Sequence, residues 1–374
     1  MHRALRRLPT MSTYSKTFAT TAGHRELRRP VHLVLDWDGT LTVNDTMALL
    51  GKIPKARDLR LHERQLRVNA IARNVSRIKH GTVDDTIVDP PVPSPTSPQW
   101  SDFASSYMKD YEAHKAAHYP LSEHASHEEY VVWLRSLRPV EYDSAARVSD
   151  SGFFHGVDVR DVRTVVKNAL DSGALQLRHG WEAAFELFLR RITDGPPAGT
   201  KLSILSVNWS ATLIRHALHE AASRLTNMPQ GRKDTLLEFI TAMEIQSNEI
   251  DGLDSPDGST GKLVGNIRTV DDKARCMPTP TAFPEGLQPL MVYVGDSSTD
   301  FECLRRADVA IWMCDCDEAG VKERFAKTFR PLDVRNSTPY PITEVGRPDD
   351  GAWCGRAKDL AQVAEFLKEV DHER

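Results

Sequence analysis

Val31-His32-Leu33-Val34-Leu35-Asp36-Trp37-Asp38-Gly39-Thr40-Leu41-Thr42 is the stretch that decides the fold of this chain. Its first five residues form a short, mainly apolar run that reads as a buried strand. The run delivers two aspartates, one residue apart, into a glycine turn. Like charges that close repel, and each loses hydration on burial, so the pair is costly unless a cation or a proton compensates it. The stretch therefore reads as a reactive site at a strand end, with a divalent metal as the natural counter-charge.

Two later apolar runs end in the same manner. Leu202-Ser203-Ile204-Leu205 leads to Ser206, and the run from Pro289 to Val294 leads to Gly295-Asp296. The pattern also predicts helices over Trp181 to Ile192, stopped by Gly195-Pro196-Pro197, over Ser210 to Leu225 and over Thr299 to Arg306, with Phe239 to Gln246 extended. Val309 to Trp312 is the last clear strand. Strands alternating with helices predict an α/β, Rossmann-like doubly wound parallel sheet covered on both faces. Such sheets bind ligands at the carboxyl ends of their strands. Asp36, Ser206 and Asp296 are thus expected to converge, joined by Lys273 in Asp271-Asp272-Lys273 and by Asp300.

Between the first strand and this region, Thr46 to Ser172 reads as mainly helical, with helical spacing in Leu59 to Ile78 and Phe103 to Ala117. The prolines of 89–98 interrupt it as a surface loop. The expected organisation is a disordered or targeting extension over 1–30, a catalytic core from 31–45 and 175–374, and a mainly helical cap inserted over 46–174. The histidines between His114 and His127 fall in that insertion and read as solvated helix faces.

The 374 residues carry 48 basic and 52 acidic side chains, so no overall field favours nucleic acid or an anionic membrane as partner. No apolar stretch reaches the roughly 18 residues that would suggest a membrane helix. Five cysteines, an odd number gathered in the last hundred residues, fit free thiols in a reducing compartment. A cytoplasmic protein is expected. Arg3, Arg6, Arg7, Lys16, Arg25, Arg28 and Arg29, with no acid before Glu26, offer a mitochondrial transit peptide as the alternative.

Asp36-x-Asp38-Gly39-Thr40, then Ser206, then Lys273, then Gly295-Asp296-x-x-x-Asp300, resembles the four ordered motifs of the haloacid dehalogenase-like superfamily, in its phosphoserine phosphatase-like branch. Ser247 to Gly252 followed by Thr260-Gly261 is similar to a segment that branch carries before its lysine. The resemblance spans Val31 to Asp45 and about Gly180 to Met313. It implies that Asp36 is the nucleophile and forms an aspartyl-phosphate, while Asp38 protonates the leaving oxygen and then activates water. Dehalogenases lack that second aspartate, so phosphoryl transfer is implied. Ser206, Lys273 and the backbone N–H groups up to Gly39 would hold the phosphate. Asp36, the Asp38 carbonyl and Asp296 would bind Mg²⁺, with Asp300 orienting a metal-bound water or pairing with Lys273.

Asp45 falls where this branch contacts substrate, although a helix N-terminal acid explains it equally. Asn208 and Trp209 stand where small residues are common, which sets phosphoserine itself in doubt. Lys262 is the rival to Lys273. The implied activity is Mg²⁺-dependent hydrolysis of a small phosphorylated metabolite; a mutase and a catalytically retired binding module are the alternatives.

Overall fold

The computed structural model describes residues 30–80, 86–92, 98–118, 126–193, 200–278, 288–329, 339–342 and 354–372. Eleven strands occur among them: β1 (Val31–Leu35), β2 (Phe154–His155), β3 (Lys201–Leu205), β4 (Glu244–Gln246), β5 (Glu249–Ile250), β6 (Thr260–Gly261), β7 (Leu263–Val264), β8 (Leu290–Gly295), β9 (Val309–Met313), β10 (Tyr340–Pro341) and β11 (Gly355–Ala357). Seven form one sheet in the order β10-β11-β9-β8-β1-β3-β4. Every pairing in it is parallel. β1 lies inside it, between β3 and the central strand β8, with Leu33 opposite Leu202 on one side and Val292 on the other.

Side chains alternate across a strand, so each strand feeds two cores. Leu33, Leu35, Ile204, Val292, Val294 and Ile311 enter one apolar cluster, which helices α7 (Trp181–Thr193), α8 (Ala211–Ser223), α9 (Gln230–Ala242) and α13 (Leu360–His372) complete. Val34, Leu205, Tyr293, Ala310 and Trp312 enter the other. It is completed by α10 (Val270–Cys276), α11 (Phe301–Arg306), α12 (Glu318–Thr328) and, from the insertion, α4 (His127–Ser136). The doubly wound α/β fold expected from the sequence is therefore present. Burial on both faces explains why β1 and β8 are buried at every position. Leu33 has no exposed surface, and truncating such a leucine to alanine costs about 2–5 kcal/mol.

The segment between β1 and α7 is largely helical: α1 (Met47–Leu50), α2 (Ile53–His80), α3 (Trp100–His118), α4, α5 (Arg138–Asp150) and α6 (Val159–Asp171), with β2 its only strand among the described residues. β2 pairs antiparallel with β6, and β5 with β7, so small ribbons flank the main sheet.

The sequence reading needs correction in two places. Residues 239–242 are helical, and the strand is only Glu244–Gln246. Leu236 and Ile240, one helical turn apart, are both buried, so packing favours continuing α9. β10 and β11 extend the sheet beyond Val309–Met313. Gly355-Arg356-Ala357 carries almost no apolar signal, although all three residues are buried. The extension at 1–29 and the centre of the proline-rich loop, 93–97, lie outside the described residues. All five cysteines are free thiols, and no described helix is long and apolar enough to cross a membrane.

Candidate active site at the carboxyl edge of the sheet

β1 ends at Asp36, whose backbone N–H still donates to the Val294 carbonyl at 2.9 Å and so continues the ladder toward β8. The chain then turns at Gly39, where φ is +72°. A Cβ there would stand 2.3 Å from Asp296 Oδ2, so glycine is required for both conformation and approach. This turn brings the strand-end aspartates of β1 and β8 together.

Asp36 is nearly buried, and the fully buried Lys273 reaches it from α10. Lys273 Nζ donates to Asp36 Oδ1 at 2.6 Å and to Asp300 Oδ1 at 2.6 Å. Asp300 also accepts the Tyr293 hydroxyl at 2.6 Å, the Ser297 hydroxyl at 2.9 Å, and the backbone N–H groups of Ser297 and Asp296 at 2.9 and 3.2 Å. Asp296 accepts the Thr40 hydroxyl at 3.0 Å.

Asp36, Asp296 and Asp300 each offer an oxygen within 4.8 Å of the others. Three carboxylates facing one ammonium leave negative charge unmet. Burial, followed by the charge of Asp300, raises the Asp36 carboxyl well above its ordinary value. The same two causes push Asp296 up to about 7. Burial acts on Asp300 too, but the Lys273 ammonium and its hydrogen bonds outweigh it and hold this carboxyl low. Lys273 stays firmly charged because Asp300 and Asp36 outweigh its burial. An all-oxygen donor set with charge to spare fits a hard divalent cation.

The Asp38 carboxylate is turned elsewhere. Its Oδ1 accepts from the Thr46 N–H at 2.7 Å and the Thr46 hydroxyl at 2.6 Å, and its Oδ2 accepts from Asn208 Nδ2 at 2.8 Å. Burial and the nearby charge of Asp45 push it up to about 6. Ser206 is buried after β3, and its hydroxyl accepts the Asn208 N–H at 3.1 Å. Asn208 Oδ1 in turn accepts the Ser210 N–H, at the entrance to α8. The Asn248 carboxamide donates to the carbonyls of Val207, Asn208 and Ile267, fixing this loop to the one that precedes α10.

The structure thus gathers Asp36, Asp38, Gly39, Ser206, Asn208, Lys273, Asp296 and Asp300 at one sheet edge. Asp45 is exposed and accepts the Met47 N–H at 2.6 Å, as an acid at the start of a helix does. Lys262 is exposed and pairs with Asp150 at 3.0 Å.

Four residues here went unread in the sequence. Thr46 holds Asp38, while Tyr293 and Ser297 hold Asp300. Arg178 is almost buried, and its Nε donates to the Thr40 carbonyl at 3.0 Å, its Nη2 to the Gly39 carbonyl at 2.6 Å, and its Nη1 to the Lys358 carbonyl at 3.2 Å. A tyrosine inside an apolar strand is a signal that could have found Tyr293, because a buried hydroxyl needs a partner. Arg178 has no such signal.

No family model matches this chain. A CTO1 family protein of Schizosaccharomyces pombe is 24% identical over 221 residues, covering 58% of this chain and 71% of that protein. A substrate-bound phosphoserine phosphatase structure covers 90% of this chain and 98% of its own, with a TM-score of 0.39 and 13% identity. A phosphoserine phosphohydrolase-like protein from Francisella tularensis covers 90% and 99%, with a TM-score of 0.36 and 12% identity. At these values the likenesses stand as descriptions only.

Proposed function

We propose that this chain is a phosphomonoester hydrolase of the haloacid dehalogenase type, acting with Mg²⁺ on a small phosphorylated metabolite. One observation carries the reading: two aspartates a single residue apart are held by different partners. Asp36 is locked to the Lys273 ammonium at 2.6 Å, whereas Asp38 faces neutral donors and is pushed up to about 6. The carboxylate held by a cation is placed to attack, and the one held by neutral donors to carry a proton.

Asp36 is then the nucleophile, oriented by the Lys273 ammonium and held rigid by the β1–β8 ladder. Its carboxylate oxygen bonds to phosphorus as the ester oxygen leaves, giving an aspartyl-phosphate. Asp38, in its protonated form, donates to the departing alkoxide, and its carboxylate then takes a proton from the water that cleaves the acyl phosphate. Thr46 and Asn208 fix the direction of that carboxyl. Ser206, Lys273 and the N–H groups of the Gly39 turn are the donors for the phosphate oxygens. Asp36, Asp296 and the Asp38 carbonyl would hold Mg²⁺, with Asp300 supporting Lys273. When bound, the ion neutralises the carboxylates and the phosphate, allowing two anions to meet. Residues 46–174 act as the cap, excluding bulk water from the acyl phosphate.

The test is release of inorganic phosphate from a panel of small phosphomonoesters with Mg²⁺, using the wild type beside Asp36→Asn. Wild-type turnover should fall about 10⁴-fold or more in the variant. Equal turnover in both proteins overturns the reading. Transfer to a second metabolite without free phosphate replaces hydrolysis with a mutase reaction.

A further inference from the structure

Arg268 stands just ahead of α10, with 8% of its surface exposed. Its Nη1 has no hydrogen-bond partner among the described residues, and Nη2 has only a long contact, 3.3 Å, to the Gly265 carbonyl. A buried guanidinium with an idle donor is expensive, because it has lost water without gaining a partner.

Its acidic neighbours do not meet that need. Asp272 is already occupied: Oδ1 accepts Arg138 at 2.9 Å and also Arg275, and Oδ2 accepts Tyr142 at 3.1 Å and the N–H groups of Thr269 and Arg268 at 3.1 and 3.2 Å. Glu141 on α5 is felt electrostatically by Arg268, yet its carboxylate accepts from the Tyr107 hydroxyl at 2.9 Å. Glu141 is therefore a charged neighbour whose hydrogen bond goes to the phenol and not to the guanidinium. Arg268 also lies over the Tyr142 ring, 5.7 Å from the centroid, a cation–π contact that leaves its N–H donors unused.

Two chains of contacts close on this arginine. Through the core, Asp38 is bonded by Asn208, whose carbonyl shares the Asn248 carboxamide with the Ile267 carbonyl, the residue before Arg268. From the insertion, the Tyr142 ring of α5 lies against the Arg268 guanidinium, one residue from the Glu141 that bonds Tyr107 of α3. The first chain begins at the proposed proton donor and the second in the cap, so Arg268 stands at the cap–core boundary on the loop tied to Asn208.

We propose that Arg268 is a substrate-specificity residue that binds a second anionic group, a carboxylate or a second phosphate, on the molecule whose phosphoryl group meets Asp36. The inference rests on the hydrolase reading above. A planar guanidinium takes either anion through paired N–H donors, which a lysine cannot reproduce.

The experiment compares kcat/KM within matched pairs: 3-phosphoglycerate against glycerol 3-phosphate for the carboxylate, and fructose 1,6-bisphosphate against fructose 6-phosphate for the second phosphate. The wild type should prefer the more anionic member of one pair, and the pair showing the preference identifies the group. Arg268→Met should lower that preference roughly ten- to a hundredfold, and Arg268→Lys should restore only part of it. Arg138→Gln, which changes a neighbouring charge, should retain it. A preference equal in wild type, Arg268→Met and Arg268→Lys, with turnover intact, overturns the assignment while leaving the hydrolase reading standing. A wild type with no preference in either pair overturns it equally. If Arg268→Met does not fold, full preference in Arg268→Lys is the contrary result. No turnover of any phosphomonoester removes the hydrolase reading and this inference together.

Discussion

The carboxyl edge of the sheet and the outer half of α2 follow opposite rules. At the sheet edge, charged side chains are buried and tied to one another: Lys273 and Asp300 have no exposed surface, and Asp36 has almost none. On α2, apolar side chains face solvent: Val68 is 50% exposed, Ile71 64%, Val75 43% and Ile78 84%. The contact that α2 does bury there is polar. Asn69 donates to the Val88 carbonyl at 2.9 Å and to Asp89 at 3.2 Å. Buried charge is maintained by partners a few ångströms away, so the arrangement is rigid and specific. An exposed valine costs little and constrains nothing. The two regions should therefore respond very differently to substitution.

The largest contrast is expected from Lys273→Met, which strands Asp36 and Asp300 in the interior. Removing one partner of a buried ion pair destabilises by about 3–5 kcal/mol, measurable by urea denaturation. A loss below about 1 kcal/mol would show that the two carboxyls tolerate burial as neutral acids and that the contrast is not electrostatic.

Next comes Asp38. Its raised value means that the protonated form prevails below about 6 and is lost above it. With an alkyl phosphate whose leaving oxygen needs a proton, and with leaving-group departure limiting, kcat should fall as pH rises through about 6. Asp38→Ala should abolish that limb and slow turnover by about 10²-fold or more. A pH profile unchanged in the variant would assign the proton to another group.

A smaller effect is expected of the metal on stability. Asp36 and Asp296 have raised values, so the folded state holds protons more tightly than the unfolded chain. The stabilisation from those protons is complete below the ordinary carboxylate range and is lost as pH rises, through about 7 for Asp296. Mg²⁺ competes for the same oxygens. It should raise Tm by a few degrees above that window and hardly at all well below it, as differential scanning fluorimetry would record. Equal shifts at both ends would place the ion elsewhere. The smallest effect belongs to α2: Ile71→Ser should change stability by no more than about 0.5 kcal/mol. A larger loss would mean that this face is covered in solution.

The same contrast explains what could be read in advance. Asp36, Ser206 and Asp296 were legible because a buried parallel strand writes an apolar run, and the polar residue that follows the run stands out against it, whereas Lys273 and Asp300 were read from their order and spacing among the motifs. The doubly wound core followed from repeating that pattern. The insertion offered no such background. Val68, Ile71, Val75 and Ile78 have the spacing of a core-facing stripe yet face outward, while the buried position at 69 is an asparagine. Periodicity marks a helix well but does not say which face is covered. Thr46 and Arg178 escaped because their partners, the Asp38 carboxylate and the carbonyls of Gly39 and Thr40, are set by tertiary folding alone. β11 escaped because its three residues fill a space too narrow for a recognisable apolar run.

Arg178 has a practical consequence. One of its donors grips the Lys358 carbonyl, between β11 and α13, while the others hold the turn at Gly39 and Thr40. The segment between β11 and α13 is thus a brace for the Gly39 turn, and the half of the molecule that carries the sheet is not modular. A shortened version stopping after β9 would retain every residue assigned a chemical step. It would also release one arm of the clamp that aims Asp36 and Asp38, so truncation by motif boundaries would preserve the parts of the site and lose its alignment.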